Sequence, residues 1–361
     1  MKIPLKNPEP DFEKFADVLK GKRKPERVHF VEIGIDQEVS QFIIENLFGE
    51  KWIPFTEETK KEHLKQIVNF YYRMGYDFVP VWIGFKNMPD FKSRQTTDTA
   101  NLSRGSRSWV EEGGGIIKTR EDFERIEWDK IEPDFTPIEI MSEYLPDGMK
   151  ITVMTVLFEM ILERFLGYQD LFILSMDNPE LVEDVFKKWG EKVYEGYKGA
   201  MKFSTVGAIF HGDDLGFKTS TIMRPEFLRK NVFPWFKKYS EIAHQNGKMY
   251  WYHCCGYVLN VMEDLIEDVK IDAFHSFQDV IIPVGEFLRR YGDKIAALGG
   301  IDMDKLSRMN EDDLRKYVRK TLDECMEIGR YALGSGNSIA NYIPVKNYLA
   351  MLDEGLKWKS K

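Results

Sequence analysis

The sequence predicts one α/β domain of the (β/α)8 barrel class, also called a TIM barrel, spanning residues 1–361. Two observations predict this class: eight short apolar runs recur along the chain, and helical patterns lie between them. Several runs are apolar almost throughout, as expected for parallel strands that are buried on both faces. A doubly wound open sheet is the alternative that the same alternation allows.

The predicted strands end in polar or glycine-rich residues, and helices of ordinary composition follow them. In chain order the strands occupy residues 28–35, 77–85, 149–156, 205–212, 248–256, 271–277, 294–302 and 330–337. The clearest helices lie at residues 57–75, 178–201, 224–247 and 310–329. Asn178 and Asn310 are predicted N-caps, Pro179 suits a first helical position, and Gly75, Gly247 and Gly329 mark helix ends.

Residues 86–148 depart from this alternation, because they are polar and glycine-rich before a short helical pattern. We expect an elaborated loop over the mouth of the barrel rather than a separate domain. Arg104 and Arg107 in this segment could clamp an anion, although arginines in such loops are more often solvated.

Composition excludes several classes of function. The formal net charge is −8 without a basic run, which argues against nucleic-acid binding. No run approaches the roughly 20 apolar residues of a membrane span. Three cysteines cannot form a disulfide framework, and residues 1–20 lack the apolar core of a signal peptide, so a cytoplasmic protein is expected.

In this fold class, functional side chains follow the carboxyl ends of the strands. The candidates at those ends are Glu32, Asp36, Trp82, Gly84, Phe85, Phe158, Glu159, His211, Asp213, Asp214, His253, Cys255, His275, Gln278, Asp302, Ser335, Asn337 and Ser338.

Among them, His253 and Cys255 form the sharpest pattern. Residues i and i+2 of a strand share a face, so the imidazole and the thiol can converge while Cys254 faces the helices. Thiolate and imidazole suit zinc, but a third ligand is needed. Asp213 or Asp214, Glu159, Asn337 or His275 could supply it. The alternative is a packed, uncharged thiol beside a hydrogen-bonded histidine.

Asp213 and Asp214 are adjacent, so they face opposite ways and do not form a coupled pair. One is expected to face the pocket as a metal ligand or a general acid or base. The other is expected to cap a helix or bind backbone amides. Cys325 lies within a predicted helix and is interpreted as structural.

The segments "HGDDLG", "HCCG", "GGID" and "GSGNS" resemble the uroporphyrinogen decarboxylase superfamily, best across residues 207–351. The resemblance implies a (β/α)8 barrel and two possible branches. One decarboxylates porphyrinogens without a cofactor, and the other comprises zinc-dependent cobalamin methyltransferases, such as methylcobamide:coenzyme M methyltransferases and O-demethylase enzymes. Decarboxylases carry an arginine motif near the first strand, whereas residues 30–39 here contain no arginine.

The methyltransferase branch has a His-x-Cys motif after the fifth strand and a second cysteine after the last. His253 and Cys255 match the first element, while Asn337 stands about where the second cysteine would be. The resemblance implies zinc, a corrinoid (methylcobalamin) carried by a separate corrinoid-binding protein, and a small-molecule methyl donor or acceptor. The expected zinc ligands are His253, Cys255 and Asp213.

Further roles are expected for residues at the strand ends. Expected catalytic residues are Asp213, Asp214, Gln278 and Asn337, and expected cofactor-binding residues are Trp82, Phe85 and Asp302. A metal-free lyase of the decarboxylase type and a non-catalytic corrinoid or small-molecule binder are the rival hypotheses.

Overall fold

Seven parallel strands form the central sheet in the computed structural model, which describes residues 2–110 and 115–359. The strands in chain order are β1 (Phe78–Trp82), β2 (Gly84–Lys86), β3 (Ser93–Thr97), β4 (Ser106–Val110), β5 (Glu132–Asp134), β6 (Lys150–Met154), β7 (Val206–Gly212), β8 (Met249–His253), β9 (Ala273–His275), β10 (Ala296–Leu298) and β11 (Tyr331–Ala332). The central sheet has the order β1-β6-β7-β8-β9-β10-β11. This order follows the chain without the reversal that a doubly wound sheet requires, so that alternative is wrong.

The first predicted strand, 28–35, lies along the far edge of the sheet without forming a regular strand. Isolated parallel bridges join Phe30 to Leu333 and Ile35 to Ile339. The amide of Leu333 also donates to the carbonyl of His29 at 2.9 Å. The predicted parallel α/β architecture is therefore confirmed as a curled seven-stranded sheet with a bridged eighth segment.

Helices surround the sheet. They are α1 (Phe12–Leu19), α2 (Gln37–Ile43), α3 (Lys60–Arg73), α4 (Arg120–Glu124), α5 (Thr136–Ser142), α6 (Phe158–Met160), α7 (Tyr168–Asp177), α8 (Pro179–Ala200), α9 (Pro225–Asn231), α10 (Phe233–Gln245), α11 (Val284–Tyr291), α12 (Met303–Arg308), α13 (Glu311–Ile328) and α14 (Val345–Lys357). Short π-helical turns occur at Ile44–Phe48, Ile161–Phe165 and Asp264–Val269, and 3-10 turns at Trp128–Lys130 and Leu259–Val261. Among the described residues, no helix is both long and apolar enough to cross a membrane.

The predicted helix ends are mostly confirmed. The Asn178 side chain accepts from the amide of Leu181 at the start of α8, and Asn310 caps α13 in the same way. The helix predicted over 224–247 is wrong as one element, because it is divided into α9 and α10. Pro234 lies at the start of α10, where its missing N–H and its ring prevent a continuous helix from passing through.

The amino-terminal end of the sheet is closed by α1. Phe12 and Phe15 of this helix are buried against Phe78, Phe210 and Trp251 on the inner face of the strands. The Phe12 amide also donates to the carbonyl of Gly148, just before β6, at 2.9 Å. The carboxyl ends of the strands are left open to the surface at the opposite end.

The 86–148 excursion is attached to that open end. Strands β3 and β4 form an antiparallel hairpin, and β2 pairs with β5. Arg107 donates to Asp36 at 3.0 Å, and Arg104 lies 2.7 Å from Glu38. The two arginines thus bind carboxylates of the chain itself, which replaces the expectation that they clamp an external anion. Residues 111–114 of the excursion lie outside the described part of the chain.

Candidate active site

Three potential metal ligands meet at the carboxyl ends of β7 and β8. One ligand atom each from Asp214, His253 and Cys255 lies within 4.8 Å of the other two. His253 Nε2 is 3.6 Å from Cys255 Sγ and 3.7 Å from an Asp214 carboxylate oxygen. Zinc–ligand bonds of about 2.0–2.3 Å place neighbouring ligand atoms of a tetrahedral site roughly 3.3–3.8 Å apart. The two distances from His253 Nε2 match this spacing, and oxygen, nitrogen and sulfur are all donors that zinc binds.

Cys254 lies on the opposite face of the chain from this cluster. It is fully buried within the core between sheet and helices, and its sulfur accepts from the amide of Leu215 at 3.2 Å. The alternation predicted for His253, Cys254 and Cys255 is therefore observed.

Asp213 is not part of the cluster, and Asp214 takes the place that we expected for it. The fully buried Asp213 carboxylate accepts hydrogen bonds from the amides of Leu157 (2.8 Å), Phe158 (3.0 Å) and Glu159 (2.8 Å) and from His211 Nε2 (2.9 Å). Because these four donors occupy its lone pairs, Asp213 anchors the loop after β6 to the end of β7. One of the two aspartates therefore binds backbone amides, as expected, and it is Asp213, which was the expected zinc ligand.

A relay of hydrogen bonds determines which nitrogen of His253 faces the cluster. The Ser335 carbonyl can only accept, so His275 Nε2, 3.2 Å away, carries a proton and donates to it. His275 Nδ1 of the neutral ring then has a lone pair, which accepts from His253 Nδ1–H at 2.7 Å. His253 Nε2 is consequently unprotonated and presents its lone pair to Asp214 and Cys255, as a metal ligand must.

Burial keeps both of these histidines neutral. It lowers the pKa of His253 to about 3. Burial, and then the neighbouring His253, also hold the pKa of His275 well below its usual range. The relay therefore consists of neutral rings with a defined tautomer.

The Cys255 thiol lies beside two polar side chains from segments that follow other strands. Asn337 Nδ2 donates to Cys255 Sγ at 3.0 Å, and Ser276 Oγ lies 3.9 Å from the same sulfur. Burial, followed by the charge of Asp214, raises the pKa of Cys255. A thiolate at this position accordingly needs a cation beside it, and a divalent metal would provide one.

A cavity of about 570 Å³ opens beside the cluster. Its lining includes Tyr71, Trp82, Glu159 and Asn337 together with the three potential ligands. Burial, and then the charges of Asp214 and Asp213, raise the pKa of Glu159. Burial also raises the pKa of Asp214. Two acidic side chains therefore face this space without a lysine or arginine as partner in the described part of the chain.

Other predicted residues lie away from the cavity. Gln278 is exposed in the loop after β9. Phe85 packs on Trp189 with ring centroids 4.8 Å apart, so it belongs to the core. Asp302 caps α12 by accepting from the amides of Asp304 and Lys305. Of the expected cofactor-binding residues, only Trp82 lines the cavity.

Glu32 and Ser335 were candidates by position, but the sequence assigned them no role. Glu32 is fully buried and accepts from the Ser335 amide at 2.8 Å and from its hydroxyl at 2.5 Å. Burial raises the pKa of Glu32 to about 8. The hydrogen bonds from Ser335 to Glu32 thus fix the position of Ser335, whose carbonyl group accepts the first hydrogen bond of the histidine relay. Tyr71, on α3, also reaches the cavity, and no feature of the sequence indicated this.

Comparison with known proteins places the fold and leaves the family open. No family model matches the chain, and no curated protein matches it. It is similar to the solved structure of a methyltransferase from Methanosarcina mazei, with 13% identity and a TM-score of 0.68, covering 96% of this chain and 98% of that one. It is also similar to a putative vitamin-B12 independent methionine synthase from Listeria monocytogenes, with 14% identity and a TM-score of 0.49, covering 93% and 99% of the two chains. The first likeness extends over nearly the whole of both chains, and the chain therefore shares its overall fold with a methyltransferase.

Proposed function

We propose that this protein is a zinc-dependent methyltransferase of the uroporphyrinogen decarboxylase superfamily. It would move a methyl group between a corrinoid, carried by a partner protein, and a small molecule in the cavity. The observation that carries the proposal is the convergence of Asp214, His253 and Cys255 at the open end of the sheet. The likeness to a methyltransferase fold supports it. We also infer that segment 28–35 completes an eight-stranded barrel.

The residues present would hold zinc through one oxygen, one nitrogen and one sulfur. Zinc bound there supplies a Lewis acid that lowers the pKa of a thiol or hydroxyl group. Asp214 and Cys255 contribute two negative charges, which match those of a divalent cation. Asn337 restrains the sulfur by its hydrogen bond, and the relay from Ser335 keeps His253 Nε2 free of a proton.

Glu159 lies on the wall of the cavity, where its raised pKa allows it to hold a proton near neutral pH. A carboxyl group in that state can give a proton to, or take one from, a ligand in the cavity. We assign it the part of general acid or base that we expected of Asp213 or Asp214.

The partner would approach the open end of the sheet. Exposed aromatic side chains follow three of the strands there: Trp82 at the end of β1, Phe217 after β7 and Tyr342 after β11. Exposed apolar groups of this kind are common where another molecule binds. A corrinoid docked there would carry the methyl group on its cobalt, and this chain would contribute the surface against which the corrinoid binds.

Metal content is the first test. We expect about one zinc per chain in protein purified without added metal, and its loss in Asp214→Ala, His253→Ala and Cys255→Ala. Cys254→Ala and His244→Ala are the matched controls, because Cys254 faces the helices and His244 lies on α10. Metal-free wild type that takes up no added zinc would contradict the proposal. Transfer of methyl from free methylcobalamin to a small thiol, followed by absorbance, then tests the reaction itself.

A further inference from the structure

The cavity beside the metal ligands is lined by carboxyl groups and by no lysine or arginine of the described residues. The carboxyl groups are those of Asp36, Glu159 and Asp214. Asp36 is already neutralised, because Arg107 donates to it at 3.0 Å. Two acidic side chains are left without a cationic partner among the residues that the structure describes.

The arginines nearest to the mouth cannot serve an incoming anion without losing these partners. Arg104 lies 2.7 Å from Glu38, and Arg107 is bound to Asp36 and to Asn341. A ligand carboxylate or sulfonate would therefore enter a space that already contains carboxyl groups. Its desolvation would have no compensating hydrogen-bonded charge.

Metal binding would not remove the imbalance. A divalent cation would be balanced by Asp214 and the thiolate of Cys255. Glu159 would remain, half-buried and without an ion-pair partner among the described residues. A positively charged group on the ligand would supply the missing partner and favour the ionised form of Glu159, since opposite charges attract more strongly beside buried groups than in bulk water.

Aromatic faces in the same cavity favour the same kind of ligand. Trp82 lines it with 56% of its surface exposed, and Tyr71 lines it from α3. The faces of indole and phenol rings attract cations, an effect that amounts to about a tenfold gain in affinity when the cation is partly desolvated.

We propose that the small-molecule ligand of this site is an organic cation, an amino alcohol or amino thiol, and that Glu159 and Trp82 select it against neutral and anionic molecules. The inference rests on the proposed function, because this cation would be the small-molecule partner in methyl transfer. The hydroxyl or thiol is the group on which the metal ligands act, and the ammonium group is the one that the acidic and aromatic lining recognises.

Three probes of nearly the same shape test the preference for charge. Choline is a cation, 3,3-dimethylbutan-1-ol is its neutral carbon analogue, and 3,3-dimethylbutanoate is the corresponding anion. Binding to the full-length chain, stripped of metal, is measured by calorimetry and ligand-observed NMR. We expect choline to bind about tenfold more tightly than the alcohol and the carboxylate not to bind. Equal or tighter binding of the alcohol, or binding of the carboxylate, overturns the proposal.

Variants identify the residues responsible. Glu159→Gln keeps the shape of the side chain and should reduce the choline-to-alcohol ratio to within about threefold. Trp82→Leu, at an exposed position, should weaken choline binding while leaving the alcohol unaffected. Glu163→Gln is the matched control, because this acid lies one helical turn further on and does not line the cavity. An unchanged ratio in both Glu159→Gln and Trp82→Leu overturns the assignment.

The outcome is separate from that of the methyltransferase proposal, because the probes bind to metal-free protein. Zinc retention without a preference for choline removes only the inference about charge. A preference for choline in a chain that never binds zinc removes only the metal-dependent reaction.

Discussion

Removal of the imidazole of His275 tests whether the histidine relay prepares His253 for metal binding. His275→Leu deletes the acceptor that lies 2.7 Å from His253 Nδ1. His275→Asn is the conservative counterpart, since its amide oxygen can occupy about the place of the lost ring nitrogen. Both positions are buried, so water cannot readily replace the missing acceptor.

The expected magnitude follows from that geometry. A buried N–H left without an acceptor costs about 1–3 kcal/mol, and His253 can avoid this cost by moving its proton to Nε2. That proton must then leave before Nε2 can bind a metal. Losses of about 10- to 100-fold in metal affinity are typical when the partner of a ligating histidine is removed. These correspond to about 1.4–2.7 kcal/mol, in agreement with the hydrogen-bond value.

Zinc affinity is measured by competition with a chromophoric chelator, and thermal unfolding shows whether each variant is folded. We expect His275→Leu to bind zinc about 10- to 100-fold more weakly and His275→Asn to stay within about threefold of wild type. Nitrogen NMR of labelled histidine should place the proton of His253 on Nδ1 in the metal-free wild type. Wild-type zinc affinity in His275→Leu, or a proton on Nε2 in the wild type, would refute the relay.

Three further results are expected. Asp213→Asn should lower the free energy of unfolding by about 2–4 kcal/mol, because the new amide N–H groups would face backbone N–H donors. Asp214→Asn should instead lose zinc, with a change in the free energy of unfolding within about 1 kcal/mol. Chemical denaturation and metal analysis of the two variants check this, and the reverse pattern would contradict it. Burial raises the pKa of Glu32 from 4.5 to about 8, so the folded state binds this proton more tightly than the unfolded state does. The protonated carboxyl group therefore stabilises the fold fully below pH 4.5, and this stabilisation is lost as the pH rises towards 8. Glu32→Gln keeps hydrogen-bond partners for Ser335 and cannot ionise, so its melting temperature should fall less than that of wild type between pH 5 and 8. Parallel plots of melting temperature against pH for the two proteins would rule this explanation out. Asn337→Cys should tighten zinc binding by about tenfold or more. In cobalt-substituted protein the same variant should add sulfur-to-cobalt charge-transfer absorption. An unchanged spectrum would show that residue 337 does not face the metal.

Local patterns were sufficient to predict most of the fold. Strands buried on both faces require nearly continuous apolar runs, and caps such as Asn178 and Asn310 act on amides only a few residues away. Such interactions can be recognised in a short stretch of sequence. The first apolar run, 28–35, has the same composition but pairs only through isolated bridges. Its pairing depends on partners about 300 residues away, which no local pattern encodes.

The site divides in the same way. His253 and Cys255 could be placed on one face from the sequence alone, because side chains alternate along any strand. The choice between Asp213 and Asp214 could not be made in advance, because it depends on how the chain leaves β7 and on amide donors that arrive from the loop after β6.

Longer-range contacts settled the remaining features. The tautomer of His253 depends on His275, which ends β9, and on the carbonyl of Ser335, which lies in the segment after β11. The charge of the cavity depends on Arg107 being occupied by Asp36, a contact between residues 71 positions apart. Patterning along the chain thus predicts which faces are buried and which pair can bind a metal. Packing alone selects the third potential ligand, the tautomer of His253 and the carboxyl groups that lack a lysine or arginine partner among the described residues, because each depends on atoms that only the folded chain brings together.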